Sequence, residues 1–350
     1  MKLLKLPHGT SDYLCPINGI CDMLEWKTSK RIPDSLLFYI SEIGFSYVKQ
    51  KNAPVPRMTF WTMGLGKRQY GFLEDIMGFK MHYSEGIGFK NTLKKVKSFI
   101  EAETPVILFG LDMFHLPYLE KYYQKIHIPG HIILMVGYSD EEQVAFVYDN
   151  SRPELQSVPY SDLSAAWEED SPGQYKCNTF FAIQFGEQVP DIRDIINKGW
   201  EKRARAVLEP PVSFLGIPGI RKLSNELLSW EEELPEDRYK QALTHFVTFS
   251  GSVVPSLPRK LSSYDTGIAD RHQGARDRLA EVLCEFCDEY GNGSWKKAAA
   301  YFEKSGNLIG KVSEIITDCI IDNNNSLKGV PELLKQVADY EEEAYNILTK

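Results

Sequence analysis

The chain has 350 residues, 43% hydrophobic and 25% charged, an ordinary globular composition with length for one large or two medium domains. Its 48 acidic and 40 basic side chains leave a formal net charge of -8, and no basic block stands out, which argues against nucleic acid as a partner. Lys94, Lys95 and Lys97 read as a solvated helix face. The apolar run within Met1–Pro7 is too short for a signal peptide, and no stretch approaches the roughly 20 apolar residues of a membrane span. A cytoplasmic chain with no membrane partner is expected. The six cysteines, in a chain of this length, argue against a disulfide framework.

In chain order, Pro16–Trp26 has helical spacing, with Ile17, Ile20, Cys21 and Leu24 on one face. Pro16 suits the first turn. Asp34 and Ser35 are placed to cap a second segment, Leu36–Ile43. Asn91 and Thr92 open an amphipathic helix, Leu93–Ala102, with Val96, Phe99 and Ile100 inward. Strands follow. Pro105–Gly110 is the continuous apolar run of a buried strand. Pro129 and Gly130 turn the chain into a second strand, His131–Tyr138. Ser139–Glu142 is a turn, and Gln143–Tyr148 is a third strand that ends at Asp149. Ser161–Trp167 reads as a short helix and Thr179–Phe185 as the last strand.

After about Pro190 the patterning becomes helical: Ile192–Leu208, Ile220–Glu233, Glu236–Thr248, Ala275–Tyr290, Ser294–Ser305, Leu308–Asn323 and Val330–Thr349. Glu209, Pro210 and Pro211 break the first of these from the second. The expected architecture is α+β: a helix on an antiparallel sheet over residues 1–189, followed by a mostly α-helical domain over 190–350.

Cys15 stands at a helix N-terminus, where free amides and the helix dipole stabilise a thiolate. His131 enters a buried strand, and Asp149 follows it by one hairpin. A cysteine before a helix, then a histidine and an acid on consecutive strands, is the chain order of papain-like thiol enzymes. There the imidazole takes the thiol proton and the carboxylate holds the imidazole. Each residue also has a plain reading alone. Cys15 could be a small buried apolar residue, His131 a hydrogen-bonded core histidine, and Asp149 part of an Asp-Asn turn. Their order together favours a Cys15–His131–Asp149 triad.

Other candidates are weaker. Cys21 falls in the helix body, where packing accounts for it. His127 has zinc-binding spacing to His131 only on a helix, which Pro129 and Gly130 forbid. Cys284 and Cys287 read as core positions of one helix face. No metal and no cofactor are therefore expected. His8 either faces the thiol or caps the turn at Pro7–Gly9, and is a candidate to support the thiol from beside it. The oxyanion donors are the gap. Gly9–Leu14 lacks the glutamine that papain-like enzymes usually place before the cysteine, and Pro16 removes an amide. Thr10, Ser11, Tyr13 and Asn18 remain as donors, with no choice among them.

The runs Gly110–Tyr118, His131–Tyr138 and Val147–Asp149 resemble the N-terminal domain of the butirosin biosynthesis protein H family. Pro33–Ile40 resembles its segment after the nucleophile helix. Gly216–Leu223 and Arg278–Leu283 resemble the helical domain that accompanies it. The resemblance implies a papain-like fold used for acyl transfer, from an acyl carrier protein thioester through a cysteine to an amine. It implies Cys15 as nucleophile, His131 as base and Asp149 as orienting acid, with Asp112 and Tyr118 near the acceptor. Leu14 stands where that family often has a histidine, and Tyr39, Ser41 and Ile43 replace glycines.

The expected function is a cysteine-nucleophile acyltransferase of secondary metabolism, moving an acyl group from a carrier-protein or other thioester to a small amine. A papain-like cysteine peptidase or amidase is the first alternative. A catalytically inactive papain-like binding module is the second. The pattern leaves open the acyl donor, the acceptor, any homo-oligomer and the role of the helical domain.

Overall fold

The structure, a computed structural model, describes residues 1–11, 15–41, 44–49, 55–60, 66–171, 175–250, 275–291, 293–322 and 326–349. They form two compact units, Met1–Ser41 with Gly64–Ile195 and Glu42–Met63 with Ile196–Lys350. The sequence-based boundary at 189/190 takes no account of the excursion over 42–63.

In chain order the elements begin with β1 (Lys2–Leu3), α1 (Cys15–Thr28), α2 (Asp34–Ser41), β2 (Ser46–Val48) and β3 (Arg57–Thr59). Then come α3 (Lys67–Met77), β4 (Phe79–Ser84), α4 (Phe89–Glu101), β5 (Val106–Leu111), β6 (His131–Ser139), β7 (Val144–Asp149) and β8 (Arg152–Pro159). α5 (Tyr160–Trp167) and β9 (Thr179–Phe185) complete the first unit's sheet region. The remainder is helical: α6 (Ile192–Leu208), α7 (Gly216–Glu226), α8 (Trp230–Glu233), α9 (Glu236–Phe249), α10 (Arg276–Glu285), α11 (Ser294–Asp322) and α12 (Val330–Leu348).

The first unit is built on a seven-stranded antiparallel sheet in the order β4-β9-β5-β6-β7-β8, with β1 beside β6. β5 is buried along its length, and β6 nearly so. That is why both read as apolar runs rather than alternations. α1 lies against this sheet at Gly19, where an added Cβ would sit 3.4 Å from Leu134 and 3.7 Å from Ile107. Residues Pro16 to Leu24 of α1 are all buried, so the helix is covered on every side. Its buried polar residues, Asn18 and Asp22, must then find partners within the protein.

The α+β expectation holds as an antiparallel sheet with helices followed by a helical region. Three strands of this sheet escaped the hydrophobic reading: the two-residue β1, and β4 and β8. β4 and β8 are the sheet's edges; β8 is polar, half-exposed and carries Pro153 and Pro159, as edge strands do. The second unit also contains the small β2–β3 pair. Residues 42 and 43, the end of the expected segment Leu36–Ile43, lie outside the described residues.

Two expected helices, Ser294–Ser305 and Leu308–Asn323, form the single helix α11. Gly306 between them is a packing glycine rather than a break: an added Cβ would lie 3.2 Å from the Asp277 amide and 3.3 Å from Arg276 Cβ. Cys287 is buried but Cys284 is exposed, because α10 ends at Glu285 and the two cysteines do not share one helical face. Among the described residues no helix is long and apolar enough to cross a membrane.

Candidate functional site

Three strictly local features bring the site together. Cys15 is the first residue of α1. Gly130, at φ 95°, turns the chain into β6, whose first residue is His131. Asp149 is the last residue of β7. β6 and β7 pair with Leu134 opposite Tyr148, so Asp149 lies just past the paired ladder on the His131 side. A bulge at Gly110 (φ 87°) shifts the β5–β6 register so that Leu111 pairs with His131. Bulges re-aim strands at such places, and a side chain at Gly110 would strike the Tyr175 ring at 2.6 Å.

His131 Nε2 lies 2.6 Å from Asp149 Oδ2, and both side chains are buried. The Cys15 sulfur is among the groups that raise the His131 imidazole. Cys15 is partly exposed, so of the three the thiol is the group open to an incoming molecule. The structure thus pairs His131 with Asp149, two of the three expected residues.

Their electrostatics reinforce one another. Burial alone would push the His131 imidazole down, but the charge of Asp149, its hydrogen bond and the Cys15 sulfur carry it up to about 10. Burial likewise opposes ionisation of Asp149. The His131 charge and hydrogen bond, with the Ser151 amide and hydroxyl, hold its carboxyl well below the usual carboxylate range. Asp149 is saturated with donors. Oδ2 accepts from His131 and from the Tyr118 hydroxyl at 2.8 Å; Oδ1 accepts from the Ser151 amide at 2.9 Å and its hydroxyl at 2.8 Å.

Tyr118, expected near the acceptor, therefore bonds Asp149. Burial and the Asp149 charge push its phenol well above the ordinary value, so it stays a donor. Tyr118→Phe should cost about 1.5–3 kcal/mol, the worth of a hydrogen bond to a charged group. A denaturant melt showing no loss would contradict this account of the Asp149 shell.

Ser151 and Tyr70 were missed by sequence reasoning. The Ser151 contacts are those of an Asx turn at Asp149, a pattern visible in Asp149-Asn150-Ser151. Tyr70, fully buried on α3, donates to the Pro16 carbonyl at 3.1 Å and so anchors the first turn of α1. Only tertiary packing brings it there.

Asn18 is not a free oxyanion donor: its amide donates to the Gly9 carbonyl at 2.6 Å. The Ser11 amide donates to the Asn150 carbonyl at 2.9 Å, and Asn150 Nδ2 returns a bond to the Ser11 carbonyl at 3.0 Å. Tyr13 and Leu14 lie outside the described residues. Asn18 and Asn150 do line a small pocket beside Cys15, with Gly19, Ile133 and Tyr148.

His8 does not face the thiol. It bonds Asp22 Oδ2 at 2.6 Å and the Arg152 carbonyl at 2.9 Å. Asp112, fully buried, accepts from the Phe114 and Ile128 amides at 3.0 and 2.9 Å and contacts His127 Nδ1 at 2.5 Å. It fastens the loop that delivers Tyr118. Among the described residues, Asp112, His127 and Glu169 bring ligand-type atoms within 4.8 Å of one another. The hydrogen bonds of Asp112 already account for both of its oxygens. Cys21 is fully buried; burial and Asp34 push its thiol well above the usual range.

Residues 161–251 match a domain of unknown function (DUF4872), and no curated protein matches the chain. Residues 14–150 match the family model described as butirosin biosynthesis protein H, N-terminal, a span that opens one residue before Cys15 and closes one residue after Asp149. The segment that carries Cys15, His131 and Asp149 is thus similar to the butirosin biosynthesis protein H N-terminal family.

Proposed function

We propose that the chain is a biosynthetic thiol acyltransferase with a papain-like arrangement of Cys15, His131 and Asp149. The observation that carries this reading is the buried His131–Asp149 hydrogen bond, with the Cys15 sulfur among the groups that raise the His131 imidazole. The family description, a biosynthesis protein, supports an enzyme of this kind.

In the proposed cycle His131 takes the Cys15 proton, and the thiolate attacks the carbonyl carbon of an acyl thioester. The tetrahedral intermediate expels the donor's thiolate, which takes the proton from the imidazolium, leaving acyl-Cys15. An amine then attacks the acyl carbon. Its proton passes to His131, the Cys15 thiolate leaves, and an amide is released. Asp149 stays charged throughout and holds the imidazolium. A thiol is a good leaving group, so this donor class needs less oxyanion assistance than a peptide. The donor is an acyl carrier protein or other acyl thioester, and the acceptor a small amine.

The test pairs a short acyl thioester with a panel of small primary amines, reading free thiol and amide product, and sets a peptide library beside it. Amine-dependent amide formation without peptide cleavage is expected. Peptide cleavage without thioester turnover would replace this reading by a cysteine peptidase.

A further inference from the structure

A second histidine–aspartate pair is built into the scaffold of the site. The His8 side chain is 3% exposed. Its Nδ1 lies 2.6 Å from Asp22 Oδ2 on α1. Its Nε2 lies 2.9 Å from the Arg152 carbonyl oxygen and 3.2 Å from that of Asp149. Every one of these partners is an oxygen acceptor. A neutral imidazole has one N–H and one bare nitrogen. Here the bare nitrogen would point at an acceptor at hydrogen-bond distance, buried from water, at the cost of a lost bond and lone-pair repulsion. On its other oxygen, Asp22 accepts from Arg31 Nη1 at 2.7 Å and from the Gly9 amide at 3.3 Å, so the carboxylate sits between two cation-type donors and an amide.

We propose that His8 is held as a buried imidazolium that clamps the Asp149 turn to the helix bearing Cys15, and so acts as a positioning residue for the His131–Asp149 pair. The consequence for catalysis rests on the reading given under Proposed function; the charge state does not. The clamp spans the two elements whose separation matters, since Asp22 belongs to α1 and the carbonyls belong to the end of β7 and the start of β8. Its own segment is tied down as well, because Asn18 of α1 donates to the Gly9 carbonyl.

The groups facing His8 from each side agree with a cation. Tyr148 of β7 stacks on the ring at 4.3 Å. Asp22 faces it from α1, and beyond Asp22 the Arg31 guanidinium is itself neutralised by Glu25 and Asp34. Burial would push the His8 imidazole down, but the Asp22 hydrogen bond and charge, with the two carbonyls, leave it above its ordinary value. A raised value in the fold means that the clamp is complete below about pH 6.5 and is lost as pH climbs past the raised value.

The experiment is a two-bond ¹H–¹⁵N histidine spectrum of the full chain at pH 8, with His8→Phe identifying the His8 signals. An unperturbed histidine is about nine-tenths or more neutral at that pH. Both His8 ring nitrogens are expected to be protonated; one bare nitrogen would overturn the proposal. His8→Phe keeps a ring over Tyr148 but removes both donors. It is expected to move the His131 ring-proton signal and to lower thioester turnover about 10-fold; an unmoved His131 signal would overturn the positioning role. If His8→Phe does not fold, His8→Gln, which keeps one donor, replaces it in both readouts. A wild-type chain without thioester turnover would remove the acyltransfer reading while the two spectra still decide the clamp.

Discussion

Cys15→Ala is expected to reduce thioester turnover on the order of 10⁴-fold or more, the scale on which removal of a covalent nucleophile acts. The chain has six cysteines, and the expectation is specific to one of them. Among the described cysteines, Cys15 is the one whose sulfur raises the His131 imidazole, itself held by the buried Asp149 carboxylate. Cys21 is fully buried and sits near Asp34, which disfavours its thiolate. Cys21→Ala should therefore cost stability through lost packing while the folded fraction keeps its rate. Cys15 is partly exposed, so its truncation should shift the melting curve little. Initial rates of thiol release, measured beside denaturant melts of both variants, separate the two effects. A Cys15→Ala protein that retains more than about a tenth of the rate would remove the covalent mechanism.

Asp149→Ala should damage both stability and rate. It strands the imidazole, the Tyr118 hydroxyl and the Ser151 donors that now converge on one carboxylate. Breaking a buried, hydrogen-bonded pair typically costs about 3–5 kcal/mol. The rate should fall by about 10²–10⁴, the usual worth of a positioned general base. The pH dependence is a sharper test. Asp149 is depressed below its ordinary 3.8, so its contribution is present above about pH 4 and is lost as pH falls through the depressed value. His131 is raised from 6.5 to about 10, so its contribution is complete below about pH 6.5 and is lost as pH climbs to about 10. The excess stability of wild type over Asp149→Ala should thus be greatest near pH 4–6.5 and shrink toward pH 10. Denaturant melts of both proteins across this range check it. An excess that grows above pH 7 would mean that the ion pair is not what holds the two residues together.

The catalytic candidates were legible because each sits where a local signal is strong. Pro16 marks the start of the helix behind Cys15, and Pro129-Gly130 marks the entry to the strand of His131. Asp149 follows from the hairpin that joins β6 to β7. What escaped depends on distant chain segments meeting. Tyr70 reaches Pro16 across 54 residues, and His8 reaches Arg152 across 144. Neither separation leaves a periodicity to detect. The edge strands escaped for the opposite reason: β8 has too little apolar surface to alternate, since much of it faces solvent. The joined helix α11 shows a third limit. Glycine reads as a breaker in sequence, but Gly306 serves the close approach of α10.

Incubating the wild-type chain with a short acyl thioester in the absence of any amine, then quenching in acid and mapping peptides by mass, asks directly whether the sulfur at the head of α1 is acylated. One acyl group on the peptide that contains Cys15, discharged when an amine is added, is the predicted result. Thioester consumption with that peptide unmodified at every time point, and the acyl group found on another residue or on none, would contradict it.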